Sequence, residues 1–125
     1  MEEILKYIDE EVKDTVKGMK GRAKKYLKPD EDITEKELLS NDLNHKVYWR
    51  MHSEDLNFHN YDLGYVKGLL SIKDILTKKI VVRTKGKVYE VIGKYSGIVY
   101  NAFENVKDAL DYATYLKNKI NKKEN

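Results

Sequence analysis

Two histidines and two aspartates recur at helical spacing in the middle of the chain, and they are its first candidates for chemistry. His52, Asp55, His59 and Asp62 are separated by three, four and three residues, so an unbroken helix would align them on one stripe. Imidazole and carboxylate groups are both metal ligands. Ser53, however, is a favourable helix N-cap, which places His52 before the helix and favours a solvated polar face. The sequence therefore predicts no metal site and no cofactor.

The sequence contains none of the common catalytic motifs. There is no Gly-x-Ser-x-Gly turn, no Walker phosphate loop and no Gly-x-Gly-x-x-Gly segment. Gly93 and Gly97 are four residues apart, but the helix start that phosphate binding needs does not follow them. Cysteine is absent, which excludes disulfides and thiolate zinc sites. We therefore predict a protein that is not an enzyme and has no catalytic residue.

Basic residues concentrate in two segments, although 24 Lys and Arg residues barely outnumber 21 Asp and Glu residues. Residues 15–28 carry six bases and no acid, and residues 63–98 carry eight bases and two acids. Lysines interleaved with tyrosines on a small sheet could contact phosphates and stack bases. The alternative is a solvated lysine surface that protects edge strands. The residues predicted to bind nucleic acid are Lys79, Arg83, Lys85, Lys87, Tyr89, Lys94, Arg22, Lys24 and Lys25.

An acidic and aromatic segment separates the two basic ones. Residues 29–62 carry nine acids and three bases. Acidic side chains can imitate nucleic-acid phosphates, and aromatic side chains anchor protein interfaces. The alternative function is therefore a protein-binding inhibitor of a host nuclease or defence system, similar in kind to anti-CRISPR proteins. Its predicted partner-binding residues are Asp30, Glu31, Asp32, Tyr48, Trp49 and Met51.

The N-terminal part of the chain has helical patterning. A helix is predicted over residues 2–28, and Pro29 ends it. Its apolar stripe predicts packing within the domain, with a dimer seam as the alternative. Thr34 and Glu37 form a capping-box pattern that starts a second helix. Residues 47–51 alternate like a strand but also fit a helix, which is the assignment we prefer. The first stripe contains Leu5, Ile8, Val12, Val16, Met19, Ala23 and Tyr26.

A longer helix, three strands and a last helix follow. The helix is predicted over residues 53–78, and three strands over residues 80–83, 87–92 and 98–103. Asn105 is the predicted cap of the last helix. The long helix has the strongest apolar spacing in the chain, which predicts that this stripe is buried. Its members are Phe58, Tyr61, Tyr65, Leu69, Ile72 and Leu76.

The predicted sheet and last helix resemble a known DNA-binding family. Residues 87–92 (KVYEVI), followed by residues 102–113 (AFENVKDALDYA), are similar to the three-stranded-sheet-plus-helix domains of the Apetala type and of tyrosine-family phage integrase N-termini. In that family the sheet lies in the major groove of DNA. The resemblance implies that the sheet surface here is formed by Arg83, Lys85, Lys87, Tyr89 and Lys94.

Together these patterns predict an α+β fold in a single domain, residues 1–125. A helical extension over residues 1–52 precedes an α-βββ-α core over residues 53–121, in which both long helices cover one face of the sheet. No apolar run is long enough to span a membrane, and no signal peptide follows the first residue, so the predicted location is the bacterial or host-cell cytoplasm. Abundant Lys, Asn, Ile and Tyr with a single Pro indicate an AT-rich genome, such as that of a Firmicute or its phage, and the predicted origin is a phage or mobile element. The predicted partner is nucleic acid or a host protein and not a membrane, with a homodimer through residues 2–28 as a further option.

Overall fold

A computed structural model describes residues 1–40 and 45–124, with side chains described as far as residue 119. It confirms the predicted α+β class, with helices before a three-stranded antiparallel sheet and one helix after it. Within these ranges, none of the helices is both long and apolar enough to cross a membrane. The elements are α1 (Glu2–Lys24), α2 (Glu35–Leu38), a 3-10 turn (Tyr48–Arg50), α3 (Ser53–Thr77), β1 (Ile80–Lys85), β2 (Val88–Gly93), β3 (Val99–Phe103) and α4 (Val106–Glu124).

The chain divides into two compact units. The N-terminal unit comprises Glu2–Lys67 and the C-terminal unit comprises Gly68–Asn125. The division lies within α3, so this helix contributes its first part to one unit and its last part to the other. The sequence pattern places the division before α3, because the apolar repeat continues along that helix without a break.

The N-terminal unit confirms the stripe predicted for the first helix. Ile8, Val12, Val16, Met19 and Ala23 are buried, so they pack inside the unit and are not exposed as a dimer seam. The helix ends at Lys24, earlier than predicted. The capping box at the start of α2 is also confirmed, since the backbone N–H of Glu37 donates to Thr34 Oγ1 over 3.1 Å and the Thr34 N–H donates to Glu37 Oε1 over 3.2 Å.

The prediction that residues 47–51 continue a helix is wrong. Only the 3-10 turn Tyr48–Arg50 forms there, and it is followed by extended backbone at Met51. Val47 and Met51 are buried on either side of the exposed Trp49. The alternation of apolar residues in the sequence therefore reflects alternating burial around a short turn. A β-strand would produce the same pattern, so the pattern does not distinguish the two.

The C-terminal unit is built on a sheet with the order β1-β2-β3. Helix α4 packs along all three strands, and the buried residues between them include Ile80, Val91, Ala109 and Ala113. Asn105 caps α4 as predicted, because its Oδ1 accepts from the backbone N–H of Lys107 over 2.7 Å. The described contacts that join α3 to this unit's turns come from its last turns, at Lys73 and Asp74. The prediction that both long helices cover one face of the sheet holds for α4.

The predicted burial of the aromatic stripe on α3 is wrong. Phe58, Tyr61 and Tyr65 are exposed, Tyr61 to 74%, whereas His59 and Val66 are the buried side chains of that part of the helix. Apolar residues occupy most of the circumference of α3, so their spacing alone does not determine which face is covered.

Helix α3 ends in a Schellman motif that fixes the start of the sheet. Lys78 adopts a left-handed φ of 57°. Its N–H donates to the carbonyl of Ile75 over 3.2 Å, and the N–H of Lys79 donates to the carbonyl of Asp74 over 2.9 Å. These are the two bonds of the motif, and they satisfy carbonyls that the helix end leaves open. The side chain of Asp74 is thereby directed into the C-terminal unit, where it binds the turn between β2 and β3.

Candidate partner-binding site

Trp49, the single tryptophan of the chain, lies at the centre of the 3-10 turn and is 71% exposed. The residues that flank the turn are buried, with Val47 fully covered and Met51 only 8% exposed. The backbone is therefore held on both sides while the indole faces solvent. A large aromatic side chain in this position is available to another molecule without a rearrangement of the backbone around it.

Arg50 ties this turn to the acidic loop of residues 29–33. Its Nη1 donates to Glu31 Oε1 over 2.6 Å, and its Nη2 donates to Glu31 Oε2 over 3.2 Å. Nη1 also donates to the carbonyl of Tyr26 over 3.0 Å. The hydrogen bonds from Arg50, followed by one from the backbone N–H of Lys28, lower the pKa of Glu31 to about 2. A bidentate pair fixes direction as well as distance, so the turn and the loop form one surface.

Further contacts support the acidic loop and the turn from the residues that precede the turn. Lys46 Nζ donates to the carbonyl of Asp32 over 2.5 Å. The backbone N–H of Tyr48 donates to His45 Nδ1 over 3.1 Å. The ring of Tyr48 makes edge-on contacts with Trp49 at 5.2 Å and with His45 at 5.4 Å between centroids. The indole is thus supported from one side by a half-buried aromatic ring.

We call residues 29–33 and 48–50 the Trp49 surface. Five of the six residues predicted for the protein-binding alternative lie on it, namely Asp30, Glu31, Asp32, Tyr48 and Trp49. Met51 does not, because its side chain is buried in the N-terminal unit. Arg50 is not among the predicted residues, although it is the single arginine of residues 29–62. Only arginine offers the planar fork that this carboxylate pairing requires.

The residues predicted to bind nucleic acid are not brought onto one face. Arg83 pairs in register with Glu90 across β1 and β2, and its Nη2 lies 2.6 Å from Glu90 Oε1, which compensates its charge. Tyr89 pairs with Thr84 and with Phe103 and packs on the side covered by α4. Because neighbouring residues of a strand face opposite sides, Tyr89 cannot stack a base beside Arg83.

The remaining predicted cations are dispersed. Lys85 and Lys87 flank Gly86 at the tip of the β1–β2 hairpin, and all three are exposed. Lys79 and Lys94 lie at the opposite end of these strands, where the N–H of Lys94 donates to the carbonyl of Lys79 over 2.9 Å. The other three predicted residues belong to the N-terminal unit. Of these, Lys24 and Lys25 are exposed, and Arg22 forms an ion pair of 3.1 Å with Asp62.

The polar stripe around His59 is occupied by contacts within the N-terminal unit. Asp55 accepts a hydrogen bond from the hydroxyl of Tyr26, and Asp62 pairs with Arg22. His59 is buried, which corrects the expectation that it lies on a solvated face. In residues 1–40 and 45–119, no three His, Cys, Asp or Glu side chains converge in a way that could hold a metal ion.

His59 is a buried titratable group close to the Trp49 surface. Its ring lies 6.0 Å from the ring of Tyr48 and 5.4 Å from that of His45. Neither ring nitrogen has a hydrogen-bond partner among the residues that the structure describes. Burial, followed by the charges of His45 and Arg22, lowers the pKa of His59 below its ordinary value of 6.5, and Asp62 opposes this. The folded state therefore holds His59 neutral.

We expect the free energy of unfolding to decrease as the pH falls below 6.5, because the unfolded chain then binds a proton that folded His59 does not. Above that pH the contribution is fully present. His59→Leu removes the imidazole and should flatten this part of the pH dependence. Urea denaturation followed by circular dichroism between about pH 7 and pH 5 measures the effect. His52→Gln, at an exposed histidine, should keep the wild-type slope. An unchanged slope in His59→Leu would contradict the assignment.

Comparisons with protein-family models, with curated proteins and with solved structures give no significant match. The likeness of the sheet and α4 to the integrase-type DNA-binding domains therefore stays a prediction.

Proposed function

We propose that this chain is a non-enzymatic protein-binding module that docks a partner protein through the Trp49 surface. The observation that carries the proposal is the indole of Trp49, which is 71% exposed on a turn fixed by the Arg50–Glu31 pair. Tryptophan is strongly enriched among the few residues that dominate protein interfaces. A side chain already held in place loses little conformational freedom on binding, so more of its contact energy contributes to affinity.

The charge beside the indole supports a partner with a basic surface. Asp30 and Asp32 are exposed on the acidic loop that the Arg50–Glu31 pair joins to the turn of Trp49, while Glu31 is already paired. Carboxylates around an aromatic anchor complement lysine and arginine side chains and repel nucleic-acid phosphates. Proteins that bind nucleic acid present basic surfaces of this kind. The partner class that fits best is therefore a nuclease or another nucleic-acid-binding protein, and occupying its basic surface would inhibit it.

Catalysis receives no support from the hydroxyl–carboxylate pair of the C-terminal unit. Ser96 Oγ donates to Asp74 Oδ2 over 2.5 Å and accepts from the N–H of Ile98 over 3.1 Å. Ser96 and Asp74 are both buried, so a substrate does not reach them in this structure. Their hydrogen bonds hold a turn, which is a structural role.

Trp49→Ala is expected to weaken partner binding by about 2 kcal/mol or more, roughly a 30-fold loss of affinity. The chain would be immobilised to capture proteins from a bacterial lysate, and the purified captured protein would then be titrated by calorimetry. We expect removal of the indole to leave the fold intact because the side chain is 71% exposed.

Tyr115→Ala is the matched control for this experiment. Tyr115 is another large exposed aromatic side chain, at 55%, but it lies on α4, outside the Trp49 surface. We expect it to leave the affinity unchanged. Equal affinities of wild type and Trp49→Ala for the captured protein would refute the proposed site.

Nucleic-acid binding is the second proposal, and it is supported by Lys85 and Lys87 at the exposed hairpin tip. If these lysines contact phosphates, reversing both charges should weaken binding of a labelled DNA duplex at low salt and reduce the salt dependence by about two counterions. Fluorescence anisotropy measures both quantities. Lys107→Glu with Lys119→Glu, at exposed positions on α4, is the control with the same net charge. A wild-type chain that does not bind the duplex at low salt would exclude this function.

A further inference from the structure

Helix α1 carries a second stripe that is exposed. It begins with the apolar side chains of Ile4 and Tyr7, which are exposed to 52% and 56%. Its members follow at spacings of three and four, so they lie on one face, beside the buried stripe rather than within it. They are Ile4, Tyr7, Glu11, Asp14, Gly18 and Arg22.

Two contacts join this stripe to the exposed aromatic residues of α3. The hydroxyl of Tyr65 donates to Glu11 Oε1 over 3.1 Å, as does that of Tyr7. The guanidinium of Arg22 lies over the ring of Phe58, 5.5 Å from its centroid. The two stripes are therefore neighbours on one surface of the N-terminal unit. We call this surface the α1–α3 face. It comprises the six residues of the α1 stripe, Lys25, and Phe58, Tyr61 and Tyr65 of α3.

The charge of α1 changes sign along its length. Residues 2–14 carry six acids and two lysines, whereas residues 15–24 carry four bases and no acid. On the α1–α3 face, Glu11 and Asp14 represent the acidic half, and Arg22 and Lys25 the basic half. Gly18 lies between them, and a Cβ added there would have no atom within 4 Å. The middle of the face is therefore open, and its backbone can be approached closely.

We propose that the α1–α3 face binds the same face of a second copy of this chain, with the two α1 helices antiparallel and Gly18 at the two-fold axis. Asp14 and Arg22 are each four residues from Gly18, so Asp14 of one copy faces Arg22 of the other, which it would share with Asp62 of that copy. Glu11 and Lys25 are each seven residues from Gly18 and face each other in the same way, with Lys25 in the turn that directly follows α1. An isologous interface requires this self-complementarity, and a parallel arrangement would oppose like charges.

The aromatic residues of α3 give the association its driving force. Phe58, Tyr61 and Tyr65 are exposed large side chains beside the α1 residues that face the second copy, which is a feature of interaction surfaces. The charges then set the orientation, because they favour one register over its alternatives. The Trp49 surface shares none of these residues, so the proposal does not depend on the proposed function.

Light scattering after size-exclusion chromatography of the full chain tests the proposal over a range of micromolar concentrations. The wild type should elute with twice the 14.7 kDa mass of the chain. Gly18→Gln adds a side chain at the axis and should elute as a monomer, although it improves helix propensity. Gly64→Gln is the matched control, since that glycine is equally open but lies outside the face, and it should remain a dimer. A monomeric wild type, or a dimeric Gly18→Gln, would overturn the proposal.

A charge exchange tests the antiparallel arrangement. Glu11→Lys and Lys25→Glu change two residues that face each other in the proposed pairing. Each variant alone opposes like charges at both ends of the interface and should dimerise at least tenfold more weakly. An equal mixture restores opposite charges at each end and should recover the dimer mass. A mixture that stays monomeric while the wild type dimerises would contradict this arrangement.

Discussion

Asp74→Ala is expected to lower the free energy of unfolding of the chain by about 4 kcal/mol, because it leaves several buried donors without an acceptor. Asp74 is fully buried near the end of α3. Its Oδ1 accepts from the N–H of Tyr95 over 2.6 Å, and its Oδ2 accepts from the N–H of Ser96 over 3.2 Å and from the Ser96 hydroxyl over 2.5 Å. These bonds hold the turn that joins β2 to β3.

Urea denaturation monitored by circular dichroism measures the loss. Asp111→Ala is the control, since Asp111 lies exposed on α4 in the same unit, and we expect a change within about 0.5 kcal/mol. Ser96→Ala removes one donor to Asp74 and the acceptor of the Ile98 N–H. Its loss in free energy of unfolding should therefore lie between those of Asp111→Ala and Asp74→Ala. A loss below about 1 kcal/mol for Asp74→Ala, the size of a single ordinary hydrogen bond, would show that the turn does not depend on the carboxylate.

Gly93→Ala is expected to have the second large effect. It should lower the free energy of unfolding by about 3 kcal/mol, because the added methyl group overpacks against a buried polar group. A Cβ at this position would lie 1.9 Å from Asp74 Oδ2 and 2.7 Å from Ser96 Oγ. Neither group can withdraw without giving up its hydrogen bonds in the turn. The φ of Gly93 is not in the left-handed region, so the cost arises from space and not from the backbone.

Gly68→Ala is the matched control for this substitution. Gly68 lies in α3 of the same unit, where a Cβ would meet no atom within 4 Å. Alanine there should stabilise the helix by up to about 1 kcal/mol. In an Asp74→Ala background, Gly93→Ala should cost clearly less than in the wild type, because its main steric partner is gone. Additive losses in this double-mutant cycle would contradict the proposed clash.

The sequence predicts the elements of this unit better than the contacts between them. Strand alternation, the turn at Gly86 and the cap at Asn105 all depend on neighbouring residues, so the sequence carries them directly. Asp74 and Gly93 are 19 positions apart, and each has an ordinary local explanation, one as a polar residue of a helix and the other as part of a turn. Their relation becomes visible only when the end of α3 is placed beside the β2–β3 turn.

The candidate site shows the same limit. Trp49 and the acidic loop are conspicuous in the sequence, but the bidentate pair of Arg50 with Glu31 joins segments 19 residues apart. Arg83 and Tyr89 are the converse case. Their types suit DNA binding, yet the register places Glu90 opposite Arg83 and turns Tyr89 towards α4. Residue types suggest a chemistry, whereas pairing determines whether the side chains meet.

Whether a partner protein covers Trp49 can be measured directly, because Trp49 is the single tryptophan of the chain. The chain labelled with fluorotryptophan gives one fluorine resonance, which reports only this indole even when the partner contains tryptophan. Titration with the captured partner should shift or broaden that resonance saturably, with the affinity found by calorimetry. A resonance that stays unchanged at saturating partner would contradict the account, because the indole would then remain in solvent while the complex forms.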